Sequence, residues 1–191
     1  MFYSGKRDWQ SFLLWFEDSL VDQHHYRFRY LRFGTLLFFV EKLSSNQGKL
    51  NMSRDFGVYL HTHNLPTPEE WKEEILQQGF PCELDSDIAL LTFSGFLPCS
   101  VNGVISGFEY YASDLDNEVL NELNLSRSLN FDISFCAGAP AAEAIAALAA
   151  ASCLTKLSEG YLVDFCSGKT VPSDEVIEWA KSQPEMQVTF S

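Results

Sequence analysis

The chain reads as an α+β protein, an antiparallel sheet with helices packed mainly on one face, plus a short helical N-terminal appendage. Three observations predict this. Asn102-Gly103 stands between two strand-like runs, the pair that closes a two-residue type I′ hairpin. Ser128 to Cys136 alternates, with Leu129, Phe131, Ile133 and Phe135 on one side. The remaining elements complete the order β-α-β-β-β-α-β-α, in which consecutive strands favour antiparallel pairing.

Composition changes abruptly before Met52. Residues 1–51 carry seven basic and five acidic side chains and hold seven of the sixteen Phe, with no Ala, Pro, Ile or Cys. Residues 52–191 carry six basic and twenty-one acidic side chains, net −15, and hold thirteen alanines. The polar stretch Leu43 to Asn51 marks the boundary, giving domains 1–51 and 52–191. Two readings of residues 1–51 stand side by side. In one, Trp9, Phe12, Leu13 and Phe16, then Phe33, Leu36, Leu37 and Val40, form two amphipathic helices around His24 to Arg29. In the other, Met52 is the authentic start and the upstream residues are a translated leader. Gln47-Gly48-Lys49 can be encoded by CAAGGAAAA, which contains a purine-rich ribosome-binding sequence.

Within 52–191, Gly57 to His61 predicts the first strand. Pro66 to Glu70 then opens a helix, with Thr67 as N-cap, Pro68 at the first helical position and Glu70 closing a capping box. This helix turns Trp71, Ile75 and Leu76 inward and sets Glu69, Glu70, Glu73 and Glu74 outward, and Gly79 suits its C′ position. In the hairpin Val101 pairs with Val104, so Leu97 faces Phe108 and Gly95 faces Tyr110. Tyr110 would then cover the bare backbone at Gly95. Phe93, Leu97, Cys99, Val101, Val104, Phe108 and Tyr110 share one face, and Phe96, Ile105, Glu109 and Tyr111 share the other. Asp114 to Leu125 forms a short helix or irregular crossing. Gly138 to Ser158 is an alanine-rich helix opened by Pro140 and closed by Gly160, able to approach a sheet closely. Tyr161 to Phe165 is a strand, Ser167 to Lys169 a turn, and Ser173 the cap of a last helix through Val176, Ile177 and Trp179.

Charge and motifs narrow the function. A net charge of −13 and a pI near 4.6 argue against nucleic acid or an anionic membrane as partner and favour a basic one. Five cysteines without CxxC spacing give neither a disulfide framework nor a zinc site. Met1 to Gln10 is too polar for a signal peptide, so cytoplasmic placement with reduced thiols is expected.

His61 and His63 would share a strand face as a metal pair needs, yet no third ligand has motif spacing, and two solvated histidines are the plainer account. Ser94-Gly95-Phe96 and Ser106-Gly107-Phe108 lack the GxSxG elbow. Glu109 between aromatics suits a proton donor, but as a strand carboxylate it suits the solvated face or a partner's Arg better. Asp114, Asp116 and Glu118 lack the spacing of a calcium loop, and Gly138 to Pro140 lacks a phosphate-loop pattern. No catalytic residue, metal or cofactor is therefore assigned.

Pro66-Thr67-Pro68-Glu69-Glu70-Trp71, Gly95-Phe96-Leu97-Pro98, Ser106 to Tyr111, the alanine-rich helix and Gly160 to Asp164 followed by Ser167-Gly168-Lys169 form an order over residues 54–180. It resembles small acidic bacterial proteins of uncharacterised families, some of which look like immunity proteins of polymorphic or contact-dependent toxins. The resemblance implies a non-enzymatic inhibitor that occludes a cognate, basic toxin. Glu69, Glu70, Glu73, Glu74, Glu109, Tyr111, Asp114 and Asp116 are the expected partner-binding residues. The alternatives are a metal-binding or enzymatic protein using His61, His63 and Glu109, and a homodimer or homo-oligomeric scaffold.

Overall fold

The computed structural model describes residues 26–29, 39–42, 53–84, 87–115, 117–126 and 128–187. The chain divides into two compact units, residues 1–48 and 49–191. In the first, β1 (Tyr26–Arg29) and β2 (Phe39–Lys42) pair antiparallel, Tyr26 opposite Lys42. Val40 therefore sits in a strand, against the expected helix. Phe39 and Val40, aromatic and β-branched, favour that outcome. The rest of the expected appendage lies outside the described residues.

The second unit is built on one seven-stranded antiparallel sheet. Its strands are β3 (Arg54–Leu60), β4 (Cys82–Leu84), β5 (Ser94–Val101), β6 (Val104–Asp114), β7 (Phe131–Ala137), β8 (Tyr161–Asp164) and β9 (Lys169–Pro172), in the spatial order β4-β5-β6-β7-β3-β8-β9. The edge strands β4 and β9 were not expected from the sequence, because three or four residues carry too little alternation to be read.

The hairpin register is as the Asn-Gly turn dictates: Val101 opposite Val104, Leu97 opposite Phe108, Gly95 opposite Tyr110. Asn102 and Gly103 both take positive φ, 51° and 77°, as a type I′ turn requires. Tyr110 does not cover Gly95, since a Cβ there would meet nothing within 4 Å. Its ring is drawn instead into the core, where its hydroxyl donates to Leu90 O at 2.7 Å. The ring that lies over a glycine is Phe96, packed diagonally on Gly107. A Cβ at Gly107 would collide with the Phe96 ring and lie 2.6 Å from Leu97 O. Phe96 can swing aside but the carbonyl cannot. Gly107→Ala is thus expected to cost about 1–3 kcal/mol in urea unfolding, and Phe96→Ala in the same chain should recover only part.

The helices are α1 (Pro68–Gln77), α2 (Asn117–Glu122), α3 (Ala141–Leu157) and α4 (Val176–Lys181). None of the described helices is long and apolar enough to cross a membrane. α1 starts as its sequence signals: Thr67 Oγ1 accepts from Glu70 N–H at 3.2 Å and Glu70 Oε2 accepts from Thr67 N–H at 2.8 Å. Gly79 takes φ 74° just past its end.

α3 is the centre of the inner layer. Every residue from Ala144 to Thr155 is buried, against β3 and β6 on one side and α1 and α4 on the others. Small alanines allow that approach from all directions. Ser152 and Thr155 are admitted because their hydroxyls donate to Leu148 O and Ala151 O, at 2.6 and 2.8 Å. Trp71 of α1 locks the layer to the sheet. Its Nε1–H donates to Ala150 O at 2.8 Å and its ring packs on Tyr110 and Phe135.

Two expected details differ. Leu76 is half exposed, one position round from the buried Ile75. Ser173 does not cap α4, whose N-cap is Glu175 without a side-chain bond. The helices also divide unevenly. α1, α3 and α4 share the core with Phe56, Val58 and Phe135, whereas Leu120 of α2 packs on Tyr59 and Val163, which alternate to the other face. α2 thereby covers the β3–β8 side of the outer face, and among the described residues of this unit no helix covers the β5–β6 side.

Candidate functional site

The bare half of the outer face is where exposure and charge coincide. Side chains directly opposite one another across a sheet share a face, about 5 Å apart. Phe96, Glu109, Cys136 and Asp55 form one such row across β5, β6, β7 and β3. Ser94, Tyr111, Ser134 and Gly57 form the next. Phe96 and Tyr111 are each about half exposed, at 52% and 46%. Tyr111 Oη donates to Glu109 Oε2 at 3.1 Å, so the phenol and carboxylate act as one unit.

The row is electronegative and poorly solvated. Burial pushes the Asp55 carboxyl up, and the Cys136 thiol donating to it opposes the rise. Burial, reinforced by Asp55, pushes the Cys136 thiol up to about 12, so it stays protonated. Burial and then Glu109 raise the Tyr111 phenol. A guanidinium or ammonium placed here would find two carboxylates and two aromatic faces.

The sequence did not single out Asp132. It lies on the same outer face two residues from Ser134, opposite Ser113 and Tyr59, and is 8% exposed. Ser113 Oγ–H donates to its Oδ1, yet burial still pushes its pKa up to about 6. Burial, with the Asp132 charge second, raises Tyr59 as well. A carboxyl between Phe131 and Ile133 was the only available signal, and it reads equally as a solvated strand position.

The other expected residues fall elsewhere. Glu69, Glu70 and Glu73 are exposed on α1, on the opposite side of the sheet from Glu109 and Tyr111. Glu70 is engaged in the capping box, which lowers its pKa. Glu74 is not on the solvent side. It is buried and accepts from Lys156 Nζ at 2.6 Å and from Gln78 Nε2 at 2.7 Å, because α3 passes beneath that edge of α1. Leu76 takes a place on the exposed surface beside Glu73 instead. Asp114 is exposed at the end of β6, and Asp116 lies outside the described residues.

His61, His63 and Glu109, the residues of the metal or enzymatic alternative, are not brought together. β3 stops at Leu60, His61 caps the 3-10 turn Thr62–Asn64 and His63 lies within it, with the two rings stacked 4.7 Å apart. His61 Nδ1 accepts from His63 N–H at 3.1 Å. Glu109 is level with Asp55, six residues of extended chain or about 20 Å from His61. No group of three or more His, Cys, Asp or Glu among the described residues could hold a metal ion. At Gly138 the backbone N–H donates to Glu143 Oε2 at 2.8 Å and is not free for an anion. The five cysteines are free thiols, with Cys82, Cys99 and Cys153 buried and Cys166 exposed.

Comparison of the chain with protein-family models, with curated proteins and with solved structures finds no match in any of the three.

Proposed function

We propose that this chain is a non-enzymatic protein-binding domain that neutralises a basic toxin, in the manner of an immunity protein, through the bare half of its outer sheet face. The observation that carries this reading is the pair of half-exposed aromatics, Phe96 and Tyr111, set around Glu109 beside a carboxylate, Asp55, raised by burial. Aromatic anchors next to desolvated carboxylates are what a partner's Arg or Lys engages most strongly. The net −15 of residues 52–191 supplies long-range attraction to such a partner. Glu69 and Glu73, on the far side of the sheet, contribute to that attraction rather than to contact.

Two sets of variants separate the roles. Glu109→Lys and Tyr111→Ala are expected to weaken binding at least tenfold, roughly, through faster dissociation. Glu69→Lys with Glu73→Lys should slow association and flatten its salt dependence while leaving dissociation nearly unchanged. The test is capture from the source organism's lysate with the tagged full chain, followed by expression of any captured protein alone and together with this chain. One basic protein, toxic alone and harmless in co-expression, is expected. Recovery of nothing but the chain itself would overturn the reading.

A further inference from the structure

We infer that Cys82 and Cys99 form a site of oxidative modification, where a peroxide converts the two thiols into an internal disulfide that ties β4 to β5. Register brings them together. Cys82 pairs with Val101 and Leu84 with Cys99, so the two cysteines are diagonal neighbours on one face. That is the inner face, where both belong to the core beneath α1 and α3. Their sulfurs lie within hydrogen-bonding reach, the Cys82 thiol donating to Cys99.

The two thiols are not equivalent. Donation to Cys99, and then burial, hold the Cys82 proton in place, while the same bond draws the Cys99 thiol below its ordinary value. The thiolate is the form that attacks an oxidant. Cys99 is also the more reachable sulfur, 7% exposed against 1% for Cys82. One thiol thus starts the reaction, and the other is placed to finish it. Diagonal neighbours stand slightly further apart than disulfide-linked residues do. β4 can close that gap, being three residues long, at the sheet edge and paired only with β5.

In the first step the Cys99 thiolate attacks one peroxide oxygen and the O–O bond breaks. Hydroxide leaves and takes up the proton that Cys99 had released. Cys99 is then a sulfenic acid. The Cys82 sulfur attacks the Cys99 sulfur, the S–O bond breaks, and a second water leaves with the Cys82 proton. Two thiols are oxidised and one peroxide is reduced to two waters. The disulfide forms on the opposite side of β5 from Phe96 and needs no binding partner.

The test uses the full chain with Cys166→Ser, which removes the exposed thiol. It is treated with hydrogen peroxide, unfolded, alkylated with iodoacetamide and digested without reduction, by a protease that cuts at Glu83, Asp85 and Asp87 between the two cysteines. Mass spectrometry should show Cys82 and Cys99 lost together from the alkylated pool and joined in one cross-linked species, with dithiothreitol restoring both. Cys153, buried in the same core, should stay alkylated throughout. Cys82→Ser should stop Cys99 at the sulfenic acid, which dimedone labels. Recovery of Cys82 and Cys99 both alkylated, at a dose that fully oxidises Cys166 in the unsubstituted chain, would overturn the inference. So would a link from Cys82 to Cys153 instead, or a link that forms only once urea has unfolded the chain.

Discussion

Trp71→Ala is expected to cost about 3–5 kcal/mol, the largest single loss available in the second unit and much of the stability of an ordinary domain. The side chain is 1% exposed and contacts all three parts of the core at once. Its ring meets Tyr110 of β6 and Phe135 of β7, and its N–H reaches Ala150 O in the middle of α3. α3 offers little to fill the void, because Ala146, Ala147, Ala149, Ala150 and Ala151 leave Leu148 as the one long side chain in that stretch. Trp71→Phe keeps most of the volume but loses the hydrogen bond, and should cost about 1–2 kcal/mol. Urea unfolding of both variants checks the pair. Equal losses would place the weight on the hydrogen bond rather than the packing.

The second large effect is electrostatic. Folded Asp132 keeps its proton up to about pH 6, whereas the unfolded chain loses it near 3.8. Between those values the folded state binds more protons, so stability falls as pH rises through that window. Asp55, also raised by burial, acts in the same direction. Asp132→Asn removes the buried charge while its amide oxygen can still accept from Ser113. It should stabilise the fold at pH 7 by up to about 3 kcal/mol, and the gain should vanish below pH 4. Unfolding free energies measured from pH 4 to 7 decide this. A wild-type profile that is flat or rising, with a neutral Asn variant, would contradict it. Retention of a carboxylate that costs stability is expected where the charge serves binding, and Asp132 shares the face that carries Glu109 and Asp55.

Two local signals came out as read, although the Ser173 cap did not. Asn102-Gly103 set the register of eight residue pairs, and Thr67, Pro68, Glu70 and Gly79 bounded α1. What depended on distant chain did not. Glu74 appeared to continue an acidic face until Lys156, 82 residues away, drew it inward. Tyr110 stood opposite Gly95 in register, but the core claimed its ring and the backbone at Gly107 received Phe96 instead. The bare half of the outer face was visible as a set of residues, Phe96, Ile105, Glu109 and Tyr111. That α2 would cover the other half, that Asp55 would extend the row and that Asp132 would share its face required the packing of α2 on β3 and the pairing of β3 with β7, over seventy residues apart.

Binding to a basic partner through the row from Phe96 to Asp55 is tested most directly by side-by-side capture with the full chain and its Glu109→Lys variant, washed at low and high salt. The wild-type chain should retain one basic protein at low salt, release part of it at high salt, and protect cells expressing it. The Glu109→Lys chain, equally folded, should retain little of it and fail to protect. Equal retention and protection by the two chains would remove this face from the binding site.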